Sequence, residues 1–240
     1  MADVDGWAKE PFVRDLFNQI ARRYDAMNLI MTGGAYRYWQ RRFRRLAALA
    51  GHERVLDVGT GTADLCLLLA PDLRRGGRIT GLDLAEEMLR VAAAKVARSP
   101  YRDRIELLQG NALSLPFPDA SFDVVTTAFA MRNFAGLERA LAEMRRVLKP
   151  GGRLLAMELT HPPSSLVRVP YFFYFRRVLP LLGFWAKKTG PYAPYAWLPA
   201  SLQHHPDAPE LARMLRVGGW RDVRWTYLTF GIVAVHQATR

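Results

Sequence analysis

The stretch VLDVGTGTADL, residues 55–65, sets Asp57, Gly59 and Gly61 at alternate positions between an apolar run and a helical pattern. Glycines at 59 and 61 let the backbone pass close to a ligand where a side chain would clash, and a helix starting just beyond them offers unpaired amide groups. Alone, this spacing suits a tight strand–helix turn equally well. Asp83, in GLDLAEEM, stands 22 residues beyond Gly61, where a carboxylate can accept both hydroxyls of an adenosine ribose. Asn111 and Ala112 follow a third apolar run, where an adenine ring would lie, with Asn111 as its polar contact. Thr62 and Leu84, next to the loop and to Asp83, complete the candidate cofactor contacts.

NAD and S-adenosylmethionine both carry that ribose. A dinucleotide fingerprint requires a further glycine three positions after its second one. Position 64 is instead an aspartate, whose charge opposes a pyrophosphate. Asp57 suits the cationic amine of a methionine moiety, directly or through water. The residues therefore favour S-adenosylmethionine, leaving as S-adenosylhomocysteine, over NAD.

Two further groups could do chemistry. AMRNF, residues 130–134, offers Arg132 and Asn133 just after a fourth apolar run. Arg132 is a fixed positive charge suited to a developing anion, and is itself no base because its pKa exceeds about 12. An arginine–carboxylate pair with Asn133 capping the next helix is the alternative. RYDAMNLIMTGGAYRYWQ, residues 23–40, sets Tyr24 and Asn28 one helical turn apart on a shared face, ahead of a Gly33-Gly34 break. A helix packed on the sheet with Tyr24 half-buried fits the same spacing. His161 and His236 are solitary, no Cys/His cluster has ligand spacing, and no metal is expected. Cys66 reads as a core residue rather than a nucleophile.

The elements that must hold these groups alternate along the chain. Apolar runs at 54–59, 78–83, 104–110, 122–129 and 152–159 predict strands. DLCLLLAPDL, AEEMLRVAAAKVARS and GLERALAEMRRVLK predict helices between them. LKPGGR should end the last of these helices, because Pro150 cannot continue it and Gly151 permits a left-handed turn. Strands alternating with helices imply an α/β fold, a doubly wound and mostly parallel sheet with right-handed crossovers. Two C-terminal strands joined at Thr229-Phe230-Gly231 add an antiparallel hairpin, making seven strands. Residues 1–50 predict a helical N-terminal cap, residues 160–205 an aromatic, proline-rich insert, and 1–240 a single domain.

Bulk properties narrow the partners. The formal net charge of +12 admits nucleic acid, an anionic membrane or an acidic substrate. Only RRFRR, residues 41–45, is densely basic, and on a helix it spreads into a solvated face, so no nucleic-acid partner is expected. One cysteine cannot form an internal disulfide, which fits a reducing compartment. The N-terminus lacks the basic-then-apolar order of a signal peptide. No apolar run reaches spanning length, since Arg168, Arg176, Arg177 and two prolines interrupt the best candidate. A soluble, cytoplasmic protein is expected. Ten aromatic residues fall between Leu166 and Leu198, interleaved with basic ones. Three roles fit them: resting on an anionic bilayer at the inner face of the cell membrane, burying the rings as a cap, or forming a homodimer interface.

Asp57-x-Gly59-x-Gly61, Asp83, N-A-x-x-L-P-F-P-D and L-K-P-G-G together resemble the class I S-adenosylmethionine-dependent methyltransferases, which are Rossmann-like. YDAMNLIMTGGAYRYWQ, TTAFAMRNF, MELTHP, YAWLPASLQHHP and YLTFGIVAVHQ narrow the resemblance to the quinone-biosynthesis C-methyltransferases, over about residues 10 to 238. Such enzymes convert demethylmenaquinol to menaquinol or methylate the benzoquinol precursor of ubiquinone. The resemblance implies a polyprenyl quinol substrate, with the 23–40 segment as a lid and the insert covering the substrate site. Arg132, Asn133 and Tyr24 become the candidate catalytic residues, and Met27, Asn28, Arg37 and Trp39 the candidate substrate contacts. The chain departs from the pattern at Ala63, where many relatives have a third glycine, at Tyr36 for a histidine, at Trp197 for a tyrosine, and at His204-His205. The competing readings are a phenol or O-methyltransferase and a nucleic-acid methyltransferase. Against the latter, TTAFAMRN lacks an Asp/Asn-Pro-Pro-aromatic element, and no second cysteine serves a covalent route.

Overall fold

The computed structural model describes residues 9–74, 76–174, 177 and 194–240. Parts of the predicted cap (1–8) and of the insert (175–176 and 178–193) lie outside the described residues. The sheet is built from β1 (Arg54–Val58), β2 (Arg78–Asp83), β3 (Ile105–Gln109), β4 (Phe122–Ala128), β5 (Leu148–Leu159), β6 (Arg221–Leu228) and β7 (Val233–Thr239). Their order is β3-β2-β1-β4-β5-β7-β6, with β7 antiparallel to both of its neighbours and the other pairings parallel. The predicted seven-stranded architecture is therefore the observed one.

In β1, Val55 to Val58 are all buried, as a central parallel strand covered on both faces requires. Strand order reverses between β1 and β4, and their carboxyl ends form the crevice where ligands bind in such sheets. Register places Asp57 beside Thr126 on β4 and beside Gly81 on β2, while Asp83 pairs with Gln109. The candidate residues of three strands thus reach one edge.

Helices α4 (Asp64–Leu69), α5 (Glu86–Ala97) and α6 (Leu137–Val147) cover the sheet. The strand after α6 begins earlier than the sequence pattern implies. Leu148 already pairs with Phe122, and Arg153 pairs with Val124, so residues 149–152 bulge opposite Asp123. Gly151 takes φ +76° there, and Lys149 Nζ binds Asp123 Oδ1 at 2.6 Å. The helix stops at Val147, ahead of the expected Pro150-Gly151 stop, and the proline-glycine turn is instead a bulge within β5.

Three N-terminal helices, α1 (Lys9–Ile20), α2 (Tyr24–Met31) and α3 (Ala35–Ala47), lie over the carboxyl edge. α1 buries Val13, Leu16 and Ile20, and its Asn18 Oδ1 accepts from Glu87 N at 3.0 Å. Asn18 thereby satisfies a first-turn amide of α5, whose own cap residue Ala85 cannot. α3 turns Trp39, Phe43 and Ala47 inward at four-residue spacing and leaves Arg37, Arg41 and Arg45 exposed. Arg44 of the RRFRR cluster makes a two-pronged pair with Asp72, at 2.6 and 2.7 Å. Between α2 and α3, Gly33 and Gly34 both have positive φ, the bend expected there.

Beyond β5, α7 (Ser165–Phe173) and α8 (Pro194–Gln203) are the described helices of the insert, and α9 (Ala208–Val217) follows. Asp207 caps α9 by accepting from Glu210 N at 2.9 Å.

Candidate active site

The glycine turn after β1 is pinned to the neighbouring strand, with Gly59 N and Thr60 N both donating to Leu82 O, at 2.8 and 3.0 Å. Gly59 has φ +73°, and a Cβ there would overlap that of Ala130. Close approach of the turn to the segment after β4 thus requires a residue without a side chain. Ala63 takes φ +63° in the same turn, fully buried, at a backbone cost of about 1–2 kcal/mol where glycine would be relaxed.

Asp83 faces this turn. Its Oδ2 accepts from Gly61 N at 2.7 Å and its Oδ1 from Ala85 N at 2.9 Å. Burial pushes its pKa up, and these backbone donors work against the shift. Each carboxylate oxygen keeps a lone pair for a further donor. Asp83 and Leu84 line a cavity of about 90 Å³ together with Gly59, Gly61, Asn111 and Ala112. The cradle fits an adenosine: two acceptors for ribose hydroxyls, apolar walls from Leu84, Met88 and Ala112, and amide Asn111 at the far end.

Asp57 opens on a smaller adjoining cleft with Gly59, Thr60, Gly61, Thr62 and Asp64. It is almost wholly buried, and Thr126 Oγ1 donates to its Oδ1 at 2.8 Å. Burial raises its pKa to about 6, against hydrogen bonds from Thr60, Thr126 and Cys66. Cys66 is fully buried, and its Sγ points at Asp57 Oδ2 at 3.6 Å. Burial, then the Asp57 charge, drive the thiol pKa well up, so Cys66 is a core donor rather than a nucleophile.

Thr62, in the lining of the cleft, donates its hydroxyl to Asp25 Oδ1 at 2.6 Å. Lys95 Nζ then ties Asp25 Oδ2 (2.7 Å) and Asp64 together. Tyr36 also hydrogen-bonds Asp64. The network clamps α2 and α3 to the glycine turn, so Thr62 acts through the clamp as well as lining the cleft.

A second cavity, of about 210 Å³, lies under α1, α2 and α3. Its walls include Met27, Asn28, Tyr36, Trp39, Tyr171 and Trp197. Trp39 Nε1 donates to Thr229 Oγ1 at 2.7 Å, and Tyr174 OH to Met31 O at 3.1 Å. Each polar ring atom is thus consumed by the wall and leaves apolar faces inward. Tyr24 and Phe129 line this cavity, the adenosine cavity and the Asp57 cleft alike. Phe129 holds φ +57°, an outlying backbone conformation of the kind found at ligand sites. Tyr24 is hydrogen-bonded to Asn28, and burial raises its pKa against the pull of Arg132.

Arg132 reaches the wall of the large cavity but is not a free charge. Its Nη1 binds Glu158 Oε1 at 2.5 Å and Phe129 O at 2.7 Å, and its backbone N donates to Glu158 Oε2 at 3.3 Å. Both partners are buried, and Arg132 Nε has no hydrogen-bond partner. The arginine–carboxylate pair is therefore present, whereas the helix cap is not. Gly136 occupies the cap position of α6, and Asn133 Oδ1 accepts from Trp197 Nε1 at 2.9 Å.

Arg37 is the candidate the structure leaves apart. It is exposed and lines none of these cavities. Tyr36 and Trp39 occupy the inward face of α3, and a residue adjacent to Tyr36 is rotated about 100° away from it. His161 Nε2 meets Leu202 O at 3.2 Å and His236 Nε2 meets Ala208 O at 2.9 Å. Among the described residues no group of three His, Cys, Asp or Glu could hold a metal. Sequence reasoning missed Glu158, Phe129 and Glu10. Glu158 lies in MELTHP, and only its place on β5 beside the end of β4 gives its role away.

A doubly wound sheet of this order, with an adenosine cradle after β1 and β2, defines the class of S-adenosylmethionine-dependent methyltransferase folds. The chain superposes on such a methyltransferase from Aquifex aeolicus with a TM-score of 0.61 and 21% identity, covering 83% of this chain and 88% of that one. The model of the ubiE/COQ5 methyltransferase family matches residues 6–240, and the chain belongs to that family. It is 42% identical to the demethylmenaquinone methyltransferase of Symbiobacterium thermophilum, over 97% of this chain and 94% of the relative. It is 36% identical to the ubiquinone/menaquinone biosynthesis C-methyltransferase UbiE of Shewanella frigidimarina, over 98% of this chain and 92% of the relative.

Proposed function

We propose that this chain methylates a ring carbon of a polyprenyl hydroquinone, converting demethylmenaquinol to menaquinol, with S-adenosylmethionine as methyl donor. The observation that carries this reading is the shared wall of Tyr24 and Phe129 between a polar adenosine cradle and a large aromatic cavity. Family membership supports the reaction type, and the similarity to demethylmenaquinone methyltransferases supports the quinol.

Bound S-adenosylmethionine supplies an electrophilic methyl group. Asp83, Leu84, Asn111 and Ala112 would hold its adenosine, and Asp57 with the turn at Gly59, Gly61 and Thr62 its methionine part. The chain's remaining work falls on the quinol. A neutral ring is a weak carbon nucleophile, and losing a phenolic proton pushes charge onto the ortho carbon. Arg132 faces that oxygen with a charge already balanced by Glu158. The pair is neutral overall, so it steadies a developing phenolate through the unpaired Arg132 Nε–H rather than by net charge, and the phenolic proton passes to a water held beside Arg132 and Tyr24. Once the ring carbon has taken the methyl group it gives up its own hydrogen as a proton and the phenolic oxygen regains one, so aromaticity returns with one proton released per turnover. Asn28 orients Tyr24, Asn133 is set by Trp197, and Met27 and Trp39 hold the ring by contact. Enclosure by α2 and α3 positions the reactants and keeps out bulk water.

An isoprenoid tail needs an exit toward lipid. α7 presents Leu166, Val169 and Phe173 outward, with Arg168 and Arg177 beside them, while Tyr171 of the same helix faces the cavity. This face suits peripheral contact with an anionic membrane. No helix among the described residues is long and apolar enough to cross one. Sedimentation with anionic vesicles but not neutral ones is the expected result, and equal binding to both excludes electrostatic docking.

The reaction is tested with purified protein, S-adenosylmethionine and a short-chain demethylmenaquinol. Turnover is expected, and Arg132→Ala should lose at least tenfold in kcat while keeping its affinity for S-adenosylhomocysteine. Unchanged turnover in that variant removes Arg132 from the mechanism.

A further inference from the structure

Glu10, in the first turn of α1, lines the adenosine cavity together with Asp83, Asn111 and Ala112. Its Oε2 accepts from Asn111 Nδ2 at 3.0 Å, but its Oε1 is buried and has no hydrogen-bond partner. A buried carboxylate oxygen without a donor is costly, and buried polar atoms normally find partners.

Neither residue is free to turn. Asn111 Oδ1 accepts from Leu113 N at 2.9 Å, which fixes the amide with Nδ2 toward Glu10. Lys9 anchors the same turn of α1, its Nζ donating to Arg132 O at 3.1 Å and Phe134 O at 2.9 Å. Val13 and Phe17 extend the helix along the cavity wall.

The cavity wall therefore sets an acceptor, the Glu10 carboxylate, beside a donor, the Asn111 Nδ2 that its other oxygen holds at 3.0 Å. Adenine is complementary to that pair, because its C6 amino group donates and its N1 accepts. Hypoxanthine reverses both, with a C6 carbonyl and an N1–H. We propose that Glu10 and Asn111 read this edge of the cofactor's adenine, Glu10 accepting from the amino group and Asn111 donating to N1. α1 is then a base-specific lid over the cofactor. The proposal rests on the S-adenosylmethionine reading above.

Titration calorimetry of the full chain with S-adenosylhomocysteine and with S-inosylhomocysteine tests it. The wild type should bind the adenosyl compound at least tenfold more tightly, since a site built around polar groups rejects an analogue that leaves them unpaired. Glu10→Gln should weaken adenosyl binding by roughly tenfold and improve inosyl binding, because its amide can donate to the C6 carbonyl. The preference then narrows without vanishing, since N1–H still faces the Asn111 donor, and a merely structural Glu10 would not produce that change. Equal binding of both compounds by the wild type, or an unchanged preference in Glu10→Gln, overturns the proposal and leaves the cofactor reading standing. Binding of neither compound by the wild type overturns the cofactor reading itself. The wild-type comparison needs no variant to fold.

Discussion

The two cavities that meet at Tyr24 and Phe129 are made in opposite ways. The adenosine cradle is a product of the parallel sheet, with Gly59, Asp83 and Asn111 each just beyond or at the end of a successive strand. Its lining is polar at Asp83, whose carboxylate is held by the backbone amides of Gly61 and Ala85 at 2.7 and 2.9 Å. The aromatic cavity owes little to the sheet. Its walls come from α1, α2 and α3, from the turn after β4, from α7 and α8, and from the β6–β7 connection. There the polar atoms of Trp39 and Tyr174 bond into the wall and ring faces remain. A sheet edge builds the polar cavity, and added helices build the aromatic one.

The largest effect should come where the two regions join. Glu158→Ala leaves Arg132 buried without its carboxylate and should cost about 3–5 kcal/mol in chemical denaturation. Arg132→Met combined with Glu158→Leu should recover most of that stability while turnover stays lost. Recovery of turnover as well would show the pair to be structural only. Next, Gly59→Ala should cost about 2–4 kcal/mol, from overlap with Ala130 and a strained positive φ. Its S-adenosylhomocysteine affinity should collapse, while binding of a short-chain menaquinone, followed by tryptophan fluorescence, survives. Loss of both would break the separation between the regions.

A smaller effect concerns pH. Asp57 titrates at about 6 in the fold, above its ordinary 3.8. Its contribution is complete below the unfolded value and is lost as pH rises through 6. Wild-type stability relative to Asp57→Asn should therefore fall by on the order of 2–3 kcal/mol between pH 4 and pH 7. A pH-independent difference would mean that Asp57 titrates normally. The smallest effect is on the aromatic side. Trp39→Phe removes the bond to Thr229 and should cost about 1 kcal/mol, raising KM for the quinol and leaving S-adenosylhomocysteine affinity unchanged.

The same contrast explains what the sequence discloses. Strand-end residues recur with the strand–helix period, so Asp57, Gly61 and Asp83 stand out once the glycine turn is taken together with the later carboxylate, whereas the turn's spacing alone would fit a plain strand–helix connection. LKPGGR announces a helix end, but whether a proline-glycine turn lies between elements or within a strand depends on the partner strand, here Asp123 of β4. Arg132 is visible as a charge, whereas its neutralising partner Glu158 stands 26 residues away on the adjacent strand. Spacing in RYDAMNLIMTGGAYRYWQ brings Tyr24 and Asn28 together correctly. It does not tell that Arg37 points outward, because the phase of α3 is set by which face Trp39 and Phe43 bury. Glu10 carries no local signal at all, and its meaning comes from a partner 101 residues distant.

Methyl transfer between the two cavities is most directly tested by incubating the protein with S-adenosylmethionine labelled with carbon-13 in its methyl group and a short-chain demethylmenaquinol, then locating the label by NMR. The expected product carries the labelled methyl on the quinol ring carbon, with an equal amount of S-adenosylhomocysteine. Label on an oxygen, or no transfer from protein shown to bind both ligands, would contradict it.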